Sequence, residues 1–148
     1  MPEVSVRIAD VLSAEDRDVI VDGLLGYNAA MGFAWASESL AVVARDPAGA
    51  LLGGLLGQTN IGWLFVAGLW VTDAQRGCGL GRALLLAAEA EATRRGCVGV
   101  YLDTYSFQAR PFYERLGYRV FGTLPDCPPG ATKYYLSKRL AAPAPPEA

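Results

Sequence analysis

The chain has 148 residues and a formal net charge of −2, and 52% of its residues are hydrophobic while 19% are charged. These values are typical of one globular domain and argue against nucleic-acid binding, which needs a dense basic surface. The sequence contains no histidine, which excludes Ser-His-Asp and Cys-His catalysis and histidine-based metal sites. Proton transfer must therefore use Asp, Glu, Tyr, Lys, Cys, the backbone or water, and we expect no metal cofactor.

The cysteines and the longest uncharged stretch predict a cytoplasmic protein that does not enter the membrane. Cys78, Cys97 and Cys127 are odd in number and form no CxxC pair, so a reducing compartment fits better than a disulfide framework or a zinc site. Residues 47–72 carry no charge, but Gln58–Asn60 and six glycines interrupt them. Two buried strands joined by a polar turn explain such a stretch better than a membrane-spanning helix does.

The N-terminal residues predict a strand followed by a helix. Apolar residues alternate with polar ones in Val4–Ala9, which is typical of a half-buried strand. Ser13–Asp16 resembles a capping box and predicts the start of a helix that runs toward Met31. Glycines at 23 and 26 suggest a break in this helix.

The rest of the chain predicts further strands and helices, and strands alternate with helices between residues 63 and 124. In chain order these are a hairpin of strands at 40–46 and 50–57, a strand at 63–71, a helix at 80–95, a strand at 98–105, a helix at 109–118, and strands at 118–124 and 132–140. Ala67–Gly68 marks a bulge in the strand 63–71, and Glu89 falls on the polar side of the helix 80–95. Residues 141–148 are rich in alanine and proline and read as a disordered tail.

This order predicts an α/β fold of the mixed, α+β kind. The segment 63–105 forms a strand–helix–strand unit, which should be a right-handed parallel crossover at the centre of the sheet. The early hairpin and the late strands should pair antiparallel, so the sheet is mostly antiparallel, with helices on both faces. We expect residues 1–140 to form a single domain.

The stretch QRGCGLGRALL, residues 75–85, combines three glycines with two flanking arginines at the start of a predicted helix. The free N–H groups of a helix N-terminus, with Arg76 and Arg82, would attract an anion. A tight turn without a ligand is an alternative, because short glycine motifs are weakly specific. A Rossmann loop is a third interpretation, although Arg82 stands where its last glycine belongs. A P-loop is excluded because no GKS or GKT follows.

Two motifs in this chain resemble those of one enzyme family. Residues 76–81, RGCGLG, match the R-x-x-G-x-G/A acetyl-CoA motif of the GNAT (GCN5-related) N-acetyltransferase superfamily, within a block at Leu69–Leu85 that is similar to the family's fourth strand, pyrophosphate loop and third helix. Ser106–Tyr118, SFQARPFYERLGY, resembles its second signature. The element order matches from Val4 to Leu140, so the resemblance covers nearly the whole chain.

The resemblance implies how acetyl-CoA would bind. In the family, the fourth and fifth strands splay apart and the cofactor's pantetheine arm pairs with the backbone of the fourth strand. The glycine loop cradles the pyrophosphate, and Ser106 stands where many members have an asparagine that contacts CoA. The cofactor-binding residues implied are Leu69, Trp70, Val71, Arg76, Gly77, Cys78, Gly79, Leu80, Gly81, Arg82, Ser106 and Tyr113.

The resemblance also implies the catalytic groups. Tyr113 matches the family tyrosine that protonates the departing thiolate, and the Ala67–Gly68 bulge would offer an N–H to the developing oxyanion. Many members carry a general-base Glu on the fourth strand, but residues 63–71 contain no acid. Asp103 is the first candidate for the base, Glu38 a weaker one, and a water chain without a dedicated base is the alternative.

The implied reaction is direct acetyl transfer from acetyl-CoA to a primary amine of a small molecule or peptide. Tyr27, Asn28, Trp35, Tyr105 and the loop Pro125–Ala131 would wall the acceptor pocket. A non-catalytic acyl-CoA-binding or sensory module is the alternative, because the strand acid is missing, and a Rossmann oxidoreductase comes third. A homodimer is one option for the assembly, since many members dimerise.

Overall fold

The computed structural model describes residues 2–141, so most of the predicted tail lies outside the described residues. The chain divides into two compact units, Met1–Trp35 and Ala36–Ala148. The first unit contains one helix, α1 (Ala14–Ala30), which Ser13 caps by accepting a hydrogen bond from the backbone N–H of Asp16 at 3.1 Å. The predicted helix start is therefore confirmed, and the helix continues through both glycines without a break.

The predicted strand at Val4–Ala9 is wrong, because none of residues 2–13 has strand structure. Alternation of apolar side chains shows only that an extended segment would have one apolar face. A strand also needs a neighbouring backbone to complete its ladder of hydrogen bonds, and no side-chain pattern specifies that neighbour.

The second unit is built on a six-stranded sheet in the order β1-β2-β3-β4-β6-β5. Its elements are β1 (Glu38–Arg45), β2 (Leu51–Asn60), β3 (Trp63–Val71), α2 (Leu80–Arg94), β4 (Gly99–Tyr105), α3 (Arg110–Arg115), β5 (Arg119–Pro125) and β6 (Thr132–Arg139). Only β3 and β4 pair in parallel, and every other neighbouring pair in this sheet is antiparallel. The predicted mixed, mostly antiparallel sheet with one central parallel crossover is confirmed.

The core of this unit lies between α2 and one face of the sheet. The fully buried leucines Leu55 and Leu64 from the strands meet Leu85 and the alanines of α2. Helix α2 contacts β1, β2, β3 and β4, so it covers the central strands on that face. Because α1 belongs to the other unit, the placement of helices on both faces stays a prediction.

Glu89 of α2 is buried, with 7% of its surface exposed, rather than on the polar side of the helix as predicted. Its carboxylate accepts hydrogen bonds from the ammonium of Lys138 at 2.6 Å and from the hydroxyl of Tyr118 at 3.1 Å. A charged group is tolerated in a core when such partners satisfy it. Burial and the neighbouring carboxylate raise the pKa of Tyr118, so its hydroxyl stays protonated as a donor.

The predicted bulge in β3 is confirmed. The register of β2 against β3 shifts between Leu56 and Gly57, which leaves Ala67 as the extra residue between Val66 and Gly68. The bulge brings the backbone of β3 close to Gly57, where a Cβ would stand 2.5 Å from the carbonyl oxygen of Phe65. Only glycine therefore fits opposite the bulge.

We expect Gly57→Ala to lower the free energy of unfolding by about 1–3 kcal/mol, because the new methyl group must push two paired strands apart. Gly68→Ala is the matched control, since a Cβ there meets nothing within 4 Å. Urea unfolding of both variants checks the prediction, and equal midpoints would show that the bulge tolerates a side chain at Gly57.

Candidate active site

The two parallel strands at the centre of the sheet separate partway along their length. β3 and β4 pair from Trp63↔Gly99 to Val66↔Leu102 and no further. Each strand keeps its outer partner beyond this point, β3 with β2 and β4 with β6. The separation therefore opens a wedge between β3 and β4, each of which stays hydrogen-bonded to its outer neighbour.

A cavity of about 600 Å³ lies in this wedge. The residues that line it come from both separated strands, from the turn that joins β4 to α3, from the glycine loop and from α3. They are Val66, Ala67, Gly68, Leu69, Trp70, Val71, Arg76, Leu102, Asp103, Thr104, Tyr105, Phe107, Gln108, Ala109 and Tyr113. The bulge of β3 thus lies on the wall of the cavity.

The backbone of β3 offers a strand edge to this cavity. The N–H of Thr72 donates to the carbonyl oxygen of Leu52 at 2.9 Å, which places Trp70 in the next hydrogen-bonded position toward β2. By the alternation of an antiparallel ladder, the backbone groups of Leu69 and Val71 point away from β2. Among the three predicted residues, these two can therefore pair with an extended ligand, while Trp70 lines the cavity without a free backbone edge.

A second cavity, of about 440 Å³, lies at the glycine loop and shares Leu69, Val71, Arg76 and Ala109 with the first. The predicted loop residues that line it are Arg76, Gly77, Gly79, Leu80, Gly81 and Arg82. Cys78 does not line it, because its thiol turns back and donates to the carbonyl oxygen of Gln75 at 2.7 Å. The shared residues place the two cavities next to each other, and the two together are called the cleft below.

Glycine is needed at two points of this loop because the backbone is left-handed there. Gly79 is the N-cap of α2, with φ of 86°, and Gly77 has φ of 77°, conformations that residues with a Cβ rarely adopt. At Gly81 a Cβ would make ordinary van der Waals contact with the ring of Phe112, at 3.4 Å. No side chain caps α2, so its first backbone N–H groups remain available to an anion.

Three arginines line the second cavity. Arg76 is paired with Asp73 at 3.1 Å, and Arg82 lies in the first turn of α2. Arg115, at the end of α3, is the third, and sequence reasoning missed it. It is more than 30 residues away along the chain, and no local motif links it to the loop.

Tyr113 of α3 lines the first cavity and has 9% of its surface exposed. Its ring packs edge-on against Phe112 and Tyr118, with centroid distances of 5.0 and 5.9 Å. Burial raises the pKa of the Tyr113 hydroxyl, and the negative charge of Asp103 raises it further. The hydroxyl therefore remains protonated at neutral pH and can donate a hydrogen bond.

Asp103 lines the same cavity as Tyr113, so the structure brings the two predicted catalytic residues together. The carboxylate of Asp103 lies 3.8 Å from the ammonium of Lys133. That ammonium lies over the rings of Tyr105 and Tyr135, at 5.7 and 5.2 Å from their centroids. Tyr105, a predicted acceptor-binding residue, also lines the cavity and stacks on Phe107 at 5.3 Å.

The turn after β4 assigns different roles to Ser106 and Gln108. Ser106 is not among the lining residues of either cavity, and its hydroxyl accepts a hydrogen bond from the backbone N–H of Thr132 at 3.0 Å. Gln108, which sequence reasoning missed, lines the first cavity. Nothing in the sequence around Gln108 distinguished this glutamine as a residue that lines the cavity.

The remaining predicted acceptor and base residues belong to other elements of the chain. Tyr27 and Asn28 lie on α1 and Trp35 follows it, all in the first unit, and their role stays a prediction. Glu38 begins β1, and its carboxylate lies 3.8 Å from the guanidinium of Arg95. The lining residues of both cavities include neither Glu38 nor the loop 125–131.

Three further properties concern residues 2–141. Within this range no three acidic or cysteine side chains are grouped as a metal site. No helix of the same range is long and apolar enough to span a bilayer. Cys78, Cys97 and Cys127 are all free thiols.

Comparison with known proteins gives consistent matches. The model of the acetyltransferase (GNAT) family matches residues 10–118. Blasticidin-S acetyltransferase from Streptomyces morookaense is 45% identical over 104 residues, which cover 70% of this chain and 76% of that protein. An acetyltransferase from Agrobacterium fabrum is 39% identical over 133 residues, covering 90% and 97%.

A solved structure shares the fold and was obtained with a ligand. The aminoglycoside 6'-N-acetyltransferase complexed with coenzyme A superposes with a TM-score of 0.64 at 23% identity, over 72% of this chain and 76% of that one. The Rossmann interpretation is wrong, because this sheet has a single parallel pair. The chain belongs to the GNAT family and is an acetyltransferase of that type.

Proposed function

We propose that this enzyme transfers the acetyl group of acetyl-CoA directly to a primary amine of a small molecule. The observation that carries the proposal is the cleft formed by the cavity between the separated strands β3 and β4 and the adjoining cavity at the glycine loop. One end of the cleft holds the glycine loop at the N-terminus of α2, and its other part holds Tyr113 and the bulge of β3.

The cleft matches the parts of acetyl-CoA in the order in which they are joined, from the nucleotide to the thioester. The uncapped N-terminus of α2, with Arg76, Arg82 and Arg115 beside it, suits the pyrophosphate and the phosphate of the nucleotide half. The backbone edge of Leu69 and Val71 suits the amides of the pantetheine arm, which can pair with it as an added strand. The thioester then reaches the region of Tyr113.

The groups around the thioester region suit acyl transfer. When an amine attacks the acetyl carbonyl, negative charge develops on the carbonyl oxygen, and an N–H freed from the ladder at Ala67 or Gly68 can stabilise it. Tyr113 donates to the departing sulfur. Because its pKa lies above the ordinary value of about 8.5 for a thiol, the hydrogen bond to the developing thiolate is the main contribution, and any proton given up returns rapidly from water.

Removal of the proton from the attacking amine is assigned to Asp103, acting directly or through water. Asp103 lines the cavity beside Tyr113, and Lys133 stands next to its carboxylate. The lack of an acid on β3 motivated the non-catalytic alternative, which the membership of an acetyltransferase family now makes unnecessary.

A small-molecule acceptor is favoured over a peptide by the relatives. One relative is named for acetylation of blasticidin S and one structural neighbour for acetylation of an aminoglycoside. Homodimer formation and a cytoplasmic location, which the three free thiols fit, remain predictions.

The test is turnover of acetyl-CoA, followed by release of the free thiol, in a panel of amines. The panel contains nucleoside antibiotics such as blasticidin S, aminoglycosides, polyamines, amino acids and peptides with free N-termini. We expect acetylation of one or more small molecules at rates far above hydrolysis, and an amide product by mass spectrometry. Acetylation of peptides alone, or binding of acetyl-CoA without any transfer, would contradict the proposal.

A further inference from the structure

Tyr113 depends on its neighbours for the direction of its side chain. It lies on α3, a helix of only six residues, and helices this short are not stable by themselves. The side-chain hydrogen bonds within residues 2–141 include several around α3, but none at the hydroxyl of Tyr113. The direction of that hydroxyl is therefore set by the rings and the backbone that contact Tyr113.

Tyr118 contacts Tyr113 at two points. The two rings pack edge to face, with centroids 5.9 Å apart and planes at 72°. The backbone N–H of Tyr118 also donates to the carbonyl oxygen of Tyr113 at 3.1 Å. Because Tyr118 has only 2% of its surface exposed, it offers Tyr113 a fixed, fully buried surface to pack against.

The ring of Tyr118 is itself anchored at its far end. Its hydroxyl donates to one carboxylate oxygen of Glu89 at 3.1 Å, and the ammonium of Lys138 donates to the other at 2.6 Å. That ammonium also lies 5.6 Å from the centroid of the Tyr118 ring. In this Glu89 triad, α2 and β6 meet the residue that follows α3 at a single buried carboxylate.

Stability alone gives no reason for a charged group at this place. Apolar residues of similar volume usually serve a core as well as a buried ion pair does, or better. A hydrogen bond to a carboxylate, in contrast, is directional and holds the phenol ring in one orientation. The Glu89 triad therefore supplies a fixed geometry that apolar packing would not supply.

We propose that Tyr118 is a positioning residue for Tyr113 and that Glu89 holds Tyr118 in place through its hydroxyl. This inference rests on the proposed role of Tyr113 as donor to the departing sulfur. A displacement of about 1 Å in a reacting group can cost about 100-fold in rate. The lining residues of both cavities include no member of the Glu89 triad, so the triad acts through Tyr113 alone.

The first test is a double-mutant cycle on kcat. Tyr118→Phe keeps the ring beside Tyr113 and removes only the hydrogen bond to Glu89, so it should lower kcat about 3- to 10-fold. The Kd for CoA should stay at the wild-type value. In the Tyr113→Phe background the same substitution should have no further effect, because the hydroxyl that it positions is already gone.

Two double variants at the other end of the hydrogen bond form a matched pair. Glu89→Gln with Lys138→Met keeps an acceptor for the hydroxyl of Tyr118, whereas Glu89→Leu with Lys138→Met removes it. Both remove the two charges, so they differ only in this hydrogen bond. We expect kcat of the leucine variant to be about 3- to 10-fold below that of the glutamine variant. Thermal unfolding verifies that both are folded at the assay temperature.

Tyrosine labelled with ¹³C at Cζ provides a measurement that does not depend on turnover. The NMR signal of Tyr113 is the one that Tyr113→Phe removes. This signal should shift or broaden in Tyr118→Phe, because Tyr113 then samples more than one position. Tyr101→Phe is the control, since it removes a hydroxyl outside both cavities, and it should leave the signal and kcat unchanged.

Any of four results would overturn the inference. These are wild-type kcat in Tyr118→Phe, losses that multiply in the Tyr113→Phe background, equal kcat in the two double variants, or an unchanged signal of Tyr113 in Tyr118→Phe. Failure of the proposed function looks different, because the wild type would then acetylate no small amine. The comparison of ¹³C signals would still decide whether Tyr118 holds Tyr113 in place.

Discussion

Tyr113→Phe should lower kcat about 100-fold or more while the Kd for CoA stays within a factor of about 3. The phenylalanine keeps the ring packed between Phe112 and Tyr118, so the fold and the cleft are retained. Only the hydroxyl that we propose donates to the departing sulfur is lost, and removal of one donor aimed at developing charge costs about 10²- to 10³-fold. Initial rates at saturating acetyl-CoA, together with calorimetric binding of CoA, provide the measurement.

Tyr101→Phe is the matched control, since it removes a tyrosine hydroxyl that lies outside both cavities, and it should leave kcat unchanged. If Tyr113→Phe matches this control, Tyr113 is not the donor to the sulfur.

The pH profile of the wild-type enzyme gives a separate expectation. The rate should rise with pH as the acceptor amine loses its proton. Because burial and Asp103 raise the pKa of Tyr113, its hydroxyl stays protonated above the ordinary tyrosine value of about 10. No descending limb due to Tyr113 is therefore expected below that pH, and a profile of kcat from pH 6 to 10 checks it.

Lys138→Met should lower the free energy of unfolding by about 2–4 kcal/mol, because it removes the cation from a buried ion pair. The ammonium of Lys138 lies 2.6 Å from the carboxylate of Glu89, whose side chain is only 9% exposed. After the substitution, the hydroxyl of Tyr118 is the one remaining hydrogen-bond donor that the described residues supply to that carboxylate. Urea unfolding monitored by tryptophan fluorescence measures the loss.

A second substitution separates loss of the charge pair from loss of packing. Adding Glu89→Gln to Lys138→Met removes the stranded charge and should restore more than half of the lost stability. Arg110→Met is the control for an exposed pair, since both Arg110 and Glu114 are about 40% exposed, and should cost less than about 1 kcal/mol. No recovery in the double variant would mean that Glu89 and Lys138 are not coupled.

Local patterns predicted most of the elements because each pattern has a local physical cause. Period-2 and period-3.6 runs of apolar residues indicated the strands and helices of the second unit, and β3 was predicted with its observed bounds at Trp63–Val71. The Ala67–Gly68 bulge and the cap at Ser13 were also local, since glycine and short polar side chains mark such positions. Tyr113 was identified by resemblance of a contiguous signature.

Contacts between distant segments could not be predicted from local patterns. The helix periodicity placed Glu89 among polar residues, but Lys138 of β6 and Tyr118 after α3 supply its partners from far along the chain. Val4–Ala9 has the alternation typical of a strand but forms none. Alternation does not specify the neighbouring strand that must complete the hydrogen-bond ladder. Arg115 joined the glycine loop only through the packing of α3 beside α2.

By itself, the sequence determined the order of the elements from α1 onward, the glycine-rich entry into α2 and the signature that carries Tyr113, since these depend on neighbours within a few residues. The tertiary structure decided where β3 and β4 separate, which backbone groups of β3 face the cleft, and that Gln108 rather than Ser106 lines it. These features depend on how strands pair and how a turn closes, and the residue type at a single position specifies neither.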